Sequence, residues 1–394
     1  MYKPFFYKYF IILSVGFMAG CSNSAIAPET ENPEFPEQWA RQGDAGTVDL
    51  NWLDDFADEK LEALVAEAVS NNFQLAQERA RVYQAEQSVI VTRANKLPSL
   101  DVTLDGSRRQ FEDASATAIA SDSFNAAFRG RWDVDIWGRF SAAQKAAELR
   151  FAASLARMRL VERNVATATA SAYFNAMEAK QLLDVAQRRL DNATSSQEIV
   201  ASGYRQGLND ALDLYLARNQ VEREEANYAL AEQNQSEAVA SLQRSLARYP
   251  DGEMEIPDEL PVIEAPIPTG MPSELLTRRS DLQESWLNLL ASDSDLASAH
   301  KARFPSLTLS ASYGLATREL NDLLSGEGTA WTLAGGLTQP LFQAGRLKAL
   351  EQQAFARVQL AEQQYLDLLY SAFADVENSI SRSASLQQRF ESFV

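Results

Sequence analysis

The sequence predicts a mainly α-helical chain with a minor β component: long coiled-coil helices and four membrane-type β-strands, arranged as two copies of one unit. Three observations predict it. Landmarks recur at a constant offset of 207 residues: Leu75 with Leu282, Pro98-Ser99-Leu100 with Pro305-Ser306-Leu307, and Gly138-Arg139 with Gly345-Arg346. Self-similarity at one fixed spacing marks a duplication. From Phe140 onward neither Pro nor Gly interrupts the chain before Gly203, so one helix can run about 65 residues, on the order of 100 Å. Finally, four segments alternate apolar and polar residues with the period of two that belongs to strands with one wet face.

Composition narrows the function before any motif is read. The 394 residues carry 36 Lys+Arg against 54 Asp+Glu, a formal charge of −18, and 46% are hydrophobic. That apolar content is ample for a packed core. The acidic balance argues against a nucleic-acid partner, because phosphate recognition needs clustered basic residues. One Cys and one His exclude a disulfide framework and leave little for a zinc site.

Residues 1–20 carry Lys3 and Lys8, an apolar run from Tyr9 to Ala19, and Gly20 ahead of Cys21. The run is shorter than the ~20 residues a spanning helix needs and has the form of a signal peptide. Met18-Ala19-Gly20-Cys21 resembles the lipobox of bacterial lipoproteins, which makes Cys21 the lipid-anchored first residue of the mature chain. An ordinary signal peptide with a chance cysteine is the alternative. Ser22 follows Cys21, and the lack of Asp there implies delivery to the outer membrane. Residues 21–56, with Pro28, Pro33 and Pro36, read as an extended N-terminal tether.

Residues 57–249 form the first copy: a helix, strands at 99–109 and 123–136, and a helical hairpin over 140–247. In the strands, Leu100, Val102, Leu104, Phe124, Phe128 and Trp132 share one face. Asp101, Asp105, Arg129, Arg131, Asp133 and Asp135 fall on the other. Helical seams run through Ala142, Ala146, Leu149, Ala153, Ala156 and Leu160, then Val161, Val165, Ala168, Ala172, Asn175, Ala179, Leu182 and Ala186. A returning seam runs through Ala217, Val221, Glu224, Tyr228, Ala231, Gln235, Ala238 and Leu242. So many alanines favour close helix approach and a thin wall rather than a compact bundle. The Pro-rich stretch 250–271 is a crossing linker. Residues 272–394 are the second copy: a helix, strands at 306–318 and 329–342, and a long helix from 345.

The same alternation would also serve a soluble sandwich strand. If these are membrane strands, four cannot close a barrel, and lipid tolerates no open edge. Several chains must then share one barrel, and three chains give twelve strands.

Several motifs now converge. Trp132-Asp133-Val134-Asp135-Ile136-Trp137-Gly138-Arg139, Gln339-Pro340-Leu341-Phe342-Gln343-Ala344-Gly345-Arg346 and Tyr204-Arg205-Gln206-Gly207-Leu208-Asn209 resemble the outer membrane efflux proteins, with the TolC-like, NodT-type lipoproteins as the nearest branch. Leu246-Ala247-Arg248-Tyr249-Pro250 resembles that family's Gly-Arg-Tyr-Pro, with Ala247 in place of Gly. The resemblance implies a homotrimer with a shared 12-stranded barrel in the outer membrane and a long α-helical barrel in the periplasm. It implies a passive exit duct for small molecules and drugs, fed by an inner-membrane pump of the resistance-nodulation-division type through a periplasmic adaptor protein. It places Tyr204, Arg205, Gly207, Leu208 and Asn209 at a hairpin tip where the adaptor docks, although Gly207 could also serve only the turn. Gly138, Arg139, Gly345 and Arg346 become strand-to-helix turns.

Applying the 207-residue offset to the tip predicts a second tip near position 414, past Val394, so the second copy is expected to be short of one hairpin arm. Asp101, Asp105, Asp133 and Asp135 are expected to line a cation-preferring pore, offset by Arg129 and Arg131. No phosphate-binding glycine loop or GxSxG is present, and His300 stands alone as a surface residue, so neither enzymatic activity nor a cofactor or metal is expected. Two other functions remain open: the outer membrane component of type I protein secretion, and a lipid-anchored coiled-coil scaffold without a pore.

Overall fold

The structure is a computed structural model and describes residues 36, 38–40, 52–112, 118–261 and 269–393. The expected signal peptide and Cys21 lie outside the described residues. After a 3-10 turn at Asp54–Phe56, the first copy holds α1 (Glu59–Asn71), α2 (Phe73–Ala94), β1 (Ser99–Glu112), β2 (Ala118–Val134), α3 (Arg139–Arg205) and α4 (Ala211–Ser245). A second 3-10 turn, Pro272–Glu274, leads into α5 (Leu275–Arg278), α6 (Ser280–Lys301), β3 (Ser306–Thr317), α7 (Leu320–Ser325), β4 (Thr329–Thr338) and α8 (Arg346–Phe393). The expected elements are present with shifted ends. β1 extends past 109, β2 stops at Val134, and β4 stops at Thr338, two residues before Pro340, which has no N–H for a ladder. The short α7 gave no periodic signal. No helix among the described residues is long and apolar enough to cross a membrane.

The chain divides into two compact units. One comprises 87–150 and 286–367. The other comprises the described parts of 35–86, 151–285 and 368–394.

In the first unit the four strands form one antiparallel sheet in the order β1-β2-β3-β4. Its central pairing joins the two copies, with Phe124 opposite Thr317 and Val134 opposite Leu307. A small apolar cluster of Leu296, Ala354 and Val358 packs α6 against α8.

In the second unit, Leu61, Leu64, Val65 and Ala68 of α1 pack with Val165, Tyr173, Ala176 and Met177 of α3 and Val239 and Leu242 of α4. Asp58 caps α1 by accepting from the N–H groups of Lys60 and Leu61 (2.9 and 3.0 Å) and also accepts from the buried Tyr173 hydroxyl at 2.9 Å. The linker contributes Ile256 to this core. Lys180 Nζ holds the linker by donating to the Ile256 carbonyl at 2.5 Å. The tether also touches this unit: Trp39 donates to the Gly270 carbonyl at 2.9 Å and meets Phe373 edge-on, and the Ala40 N–H donates to Glu377 at 2.7 Å.

The α4 seam lies where the periodicity put it, with Ala217, Val221, Glu224, Tyr228, Ala231, Gln235, Ala238 and Leu242 all buried or half-buried. In α3 the first seam also holds, and Ala186 of the second is buried, but between Val165 and Met177 the buried positions are Thr169, Ala170, Tyr173 and Ala176, whereas Ala168, Asn175 and Leu182 are exposed. There α3 packs on α1 as well as α4, which widens and rotates the buried stripe beyond a two-helix seam.

Candidate functional site: sheet, junctions and helical tip

Directly opposite residues of an antiparallel sheet share a face, so the register sorts the strand residues without ambiguity. Val102, Phe128, Tyr313 and Trp331 form one row across all four strands, and Leu100, Gly130, Ala311 and Leu333 form the next. These rows are apolar, with the Arg108–Asp122 ion pair (3.6 Å) on the same face toward the β1–β2 turn, yet Val102, Phe128, Tyr313 and Trp331 are 54–73% exposed in the single chain. A contiguous apolar surface of this kind marks a lipid or protein contact.

The opposite face is polar. Asp101, Arg129, Ser312 and Thr332 share a row, as do Asp133, Thr308 and Gly336. Arg129 pairs with Asp105 at 3.1 Å and Arg131 with Asp133 at 3.3 Å, while the Thr308 hydroxyl donates to Asp133 at 2.6 Å. Five of the six predicted wall residues are therefore gathered on one face. Among the described strand positions of that face, Asp101, Asp105 and Asp133 are matched by Arg109, Arg129 and Arg131. The formal charges cancel, so the acidic excess that motivated the cation-preferring expectation is not carried by this face.

Asp135 sits outside the strand. Its carboxylate accepts from the N–H groups of Phe140 and Ser141 (3.0 and 2.8 Å) and from the Ser141 hydroxyl (2.7 Å), capping α3. Partial burial opposes ionisation, but these hydrogen bonds and the charge of Lys96 outweigh it and hold the carboxyl below its ordinary range. Asp135 is thus a helix cap rather than a residue of the sheet's wet face.

The two strand-to-helix junctions are built alike. Gly138 and Gly345 both take left-handed backbones, with φ of 74° and 83°, and each is followed by the first arginine of a long helix, Arg139 or Arg346. Trp132 donates to the Lys96 carbonyl at 2.9 Å, and Trp137 donates to the Pro305 carbonyl at 2.7 Å while packing against Phe304. Trp137 thus ties this motif to the start of β3, while Trp132 ties β2 back to the turn after α2. His300 is not a simple surface residue: it is half-buried and contacts Glu351 at 2.6 Å, with Arg303 on the other carboxylate oxygen at 2.6 Å. The 51-residue separation hid that pairing from the sequence.

At the hairpin tip, the Leu208 N–H donates to the Gly203 carbonyl at 2.8 Å and the Gly207 N–H to Tyr204 at 3.0 Å. This is a Schellman ending with Gly207 at its left-handed position, φ 79°. Asp210 and Asp213 then form a capping box that starts α4. Asn209 is half-buried, and its amide occupies the space a Cβ at Gly203 would need. Gly207 and Asn209 thus shape the turn, while Tyr204, Arg205 and Leu208 are exposed. The end of α4 repeats the motif, with Arg248 N–H to Gln243 at 2.9 Å and Ala247 N–H to Arg244 at 3.1 Å, but here the left-handed residue is Ala247, φ 58°. The Gly of the Gly-Arg-Tyr-Pro pattern is thus a helix-ending glycine, and this chain departs from it at a backbone cost.

Residues 64–248 and 271–392 match the sequence model of the outer membrane efflux protein. The chain belongs to the outer membrane efflux protein family. Among relatives, it is 29% identical to the pyoverdine export outer membrane protein OpmQ of Pseudomonas aeruginosa, across 96% of this chain and 82% of OpmQ. It is 26% identical to the cation efflux system protein CusC of Escherichia coli, across 94% of this chain and 82% of CusC. A solved membrane protein from Pseudomonas aeruginosa superposes with a TM-score of 0.84 at 25% identity, covering 93% of this chain and 85% of that one. The work of this outer membrane efflux protein is export across the outer membrane, and its relatives are channel proteins rather than enzymes.

Proposed function

We propose that three copies of this chain assemble into a passive exit duct that carries small molecules from an inner-membrane pump, received through a periplasmic adaptor. The observation that carries this reading is the sheet itself. It has one mainly apolar and one polar face, and among the described residues the outer sides of β1 and β4 lack strand partners in the order β1-β2-β3-β4. A sheet facing lipid must close, and pairing β4 of one copy with β1 of the next closes twelve strands in a trimer. The apolar face then meets the bilayer, while Asp101, Asp105, Arg129, Arg131 and Asp133 line the water-filled interior.

The internal duplication is part of the same reading. It is supported by the starts of α2 and α6, β1 and β3, and α3 and α8, each pair being 207 residues apart. Anchoring through a lipidated Cys21 would hold the N-terminal tether to the same membrane. Tyr204, Arg205 and Leu208 form the adaptor contact, on a turn shaped by Gly207 and Asn209. OpmQ is named for pyoverdine export and CusC for cation efflux. Two such different cargoes on one architecture favour a duct whose substrate is chosen by its pump.

Planar-bilayer recording of the purified full chain tests the pore, with light scattering in detergent for the trimer. Stable single-channel conductance from a species of three chains is expected, and a monomer or a non-conducting assembly would overturn the proposal. Leu208→Asp should leave conductance intact while weakening adaptor binding at least about tenfold, equivalent to 1.4 kcal/mol.

A further inference from the structure

We infer that the junction between sheet and helices holds an anion-binding station facing the interior of the duct. This inference rests on the exit-duct reading. A cleft of about 450 Å³ lies in the first unit, bordered by Arg131, Asp133, Arg139, Lys301, Arg346 and Asp135 among its charged residues. Its volume is within the range of small-ligand sites. At the strand ends, Arg131, Asp133, Thr308 and Thr338 border the cleft from the polar face, and Val134 and Leu307 border it from the other. The cleft thus spans the end of the sheet, with its charged strand residues on the side that becomes the interior.

The charges in the cleft do not cancel as they do higher on the sheet. Four basic side chains border it against two acidic ones. Both acids are already committed: Asp133 to Arg131 and Thr308, and Asp135 to the N-terminus of α3. Among the described residues, Arg139, Lys301 and Arg346 have no carboxylate within ion-pair distance. Arg139 lies against the Phe140 ring, Lys301 reaches only the Gly138 carbonyl at 3.4 Å, and Arg346 donates to the Gln343 side-chain carbonyl. Two of these cations follow the left-handed glycines of equivalent junctions, so both copies send an arginine to the same cleft. The recognised chemistry is a multivalent carboxylate, which a guanidinium can hold by paired hydrogen bonds. In a closed trimer the stations form a ring of excess positive charge. That ring concentrates anionic solutes within a chain whose net charge is −18.

The test uses full-length protein in planar bilayers at low salt, with citrate as the probe. Citrate is expected to reduce the current carried by potassium chloride, and the effect should fade as salt rises and screens the ring. The Arg139→Gln/Arg346→Gln double variant should need about tenfold more citrate, the lower end of what focused charge does to local counter-ion concentration. Arg139→Lys/Arg346→Lys, which keeps the charge, should retain most of the block. A conducting double variant with unaltered citrate sensitivity would sink the inference, as would wild-type block that is insensitive to salt. Absence of conductance altogether would instead count against the duct. If the double variant fails to fold, the salt dependence of wild type together with Lys301→Gln decides the matter.

Discussion

Gly314→Ala should break the seam on which the whole sheet depends. Gly314 lies opposite Ala127 where β3 of the second copy pairs with β2 of the first. A Cβ built there would stand 2.1 Å from the Ala126 carbonyl oxygen and 2.5 Å from Ala127 Cα. Carbon and oxygen in adjacent strands ordinarily approach to about 3.3–3.6 Å, so the methyl is more than about 1 Å too close. Both obstructing atoms are backbone, and no rotamer change relieves them. The strands must separate, with an overpacking cost of roughly 1–3 kcal/mol and about 1 kcal/mol for each ladder hydrogen bond lost. We expect a destabilisation of about 3 kcal/mol. Gly336→Ala is the matched control: it lies on the same face in β4, and nothing stands within 4 Å of its added Cβ, so the change should stay within about 0.5 kcal/mol. Urea unfolding in detergent, followed by heat-modifiable gel migration, compares the two. Equal stability of the two variants would refute the argument that backbone proximity at Gly314 sets the seam.

Two further outcomes follow from the helix ends. Ala247→Gly should stabilise the second unit by about 0.5–1 kcal/mol, the relief of a left-handed alanine less the entropy that glycine loses on folding; an unchanged urea midpoint would contradict it. Asp135→Ala should cost about 1 kcal/mol at neutral pH by removing the cap of α3. Because the folded carboxyl titrates below its ordinary value, its contribution is complete above the unfolded pKa of about 4 and is lost as pH falls through the lower folded value. The gap between Asp135→Ala and wild type should therefore narrow in strong acid, and a gap that widens there would be incompatible with a capping carboxylate.

Periodicity alone located most of the architecture because its signals are local. The seam of α4 and the alternating faces of β1 and β3 follow from the fixed pitch of helix and strand. The 207-residue spacing was likewise legible as repeated residues. What failed locally was what a third partner changes. The α3 stripe drifts after Val165 because α1 adds to the packing, and Asp135, which continues the alternation on paper, turns out of the sheet to cap a helix. His300 gained its partner only when α6 met α8.

The sequence by itself determined that this chain has long alanine-seamed helices, strands with one polar face, and landmark residues that recur at a spacing of 207. Each depends on residue spacing within a single element. Tertiary structure alone decided that β2 and β3 join the copies, that the acidic residues of the polar face are balanced by arginines, and that Arg139, Lys301 and Arg346 converge without carboxylate partners. The β2–β3 register joins distant residues such as Val134 and Leu307, and Arg129 meets Asp105 only once β1 and β2 pair, so no period within one element encodes either.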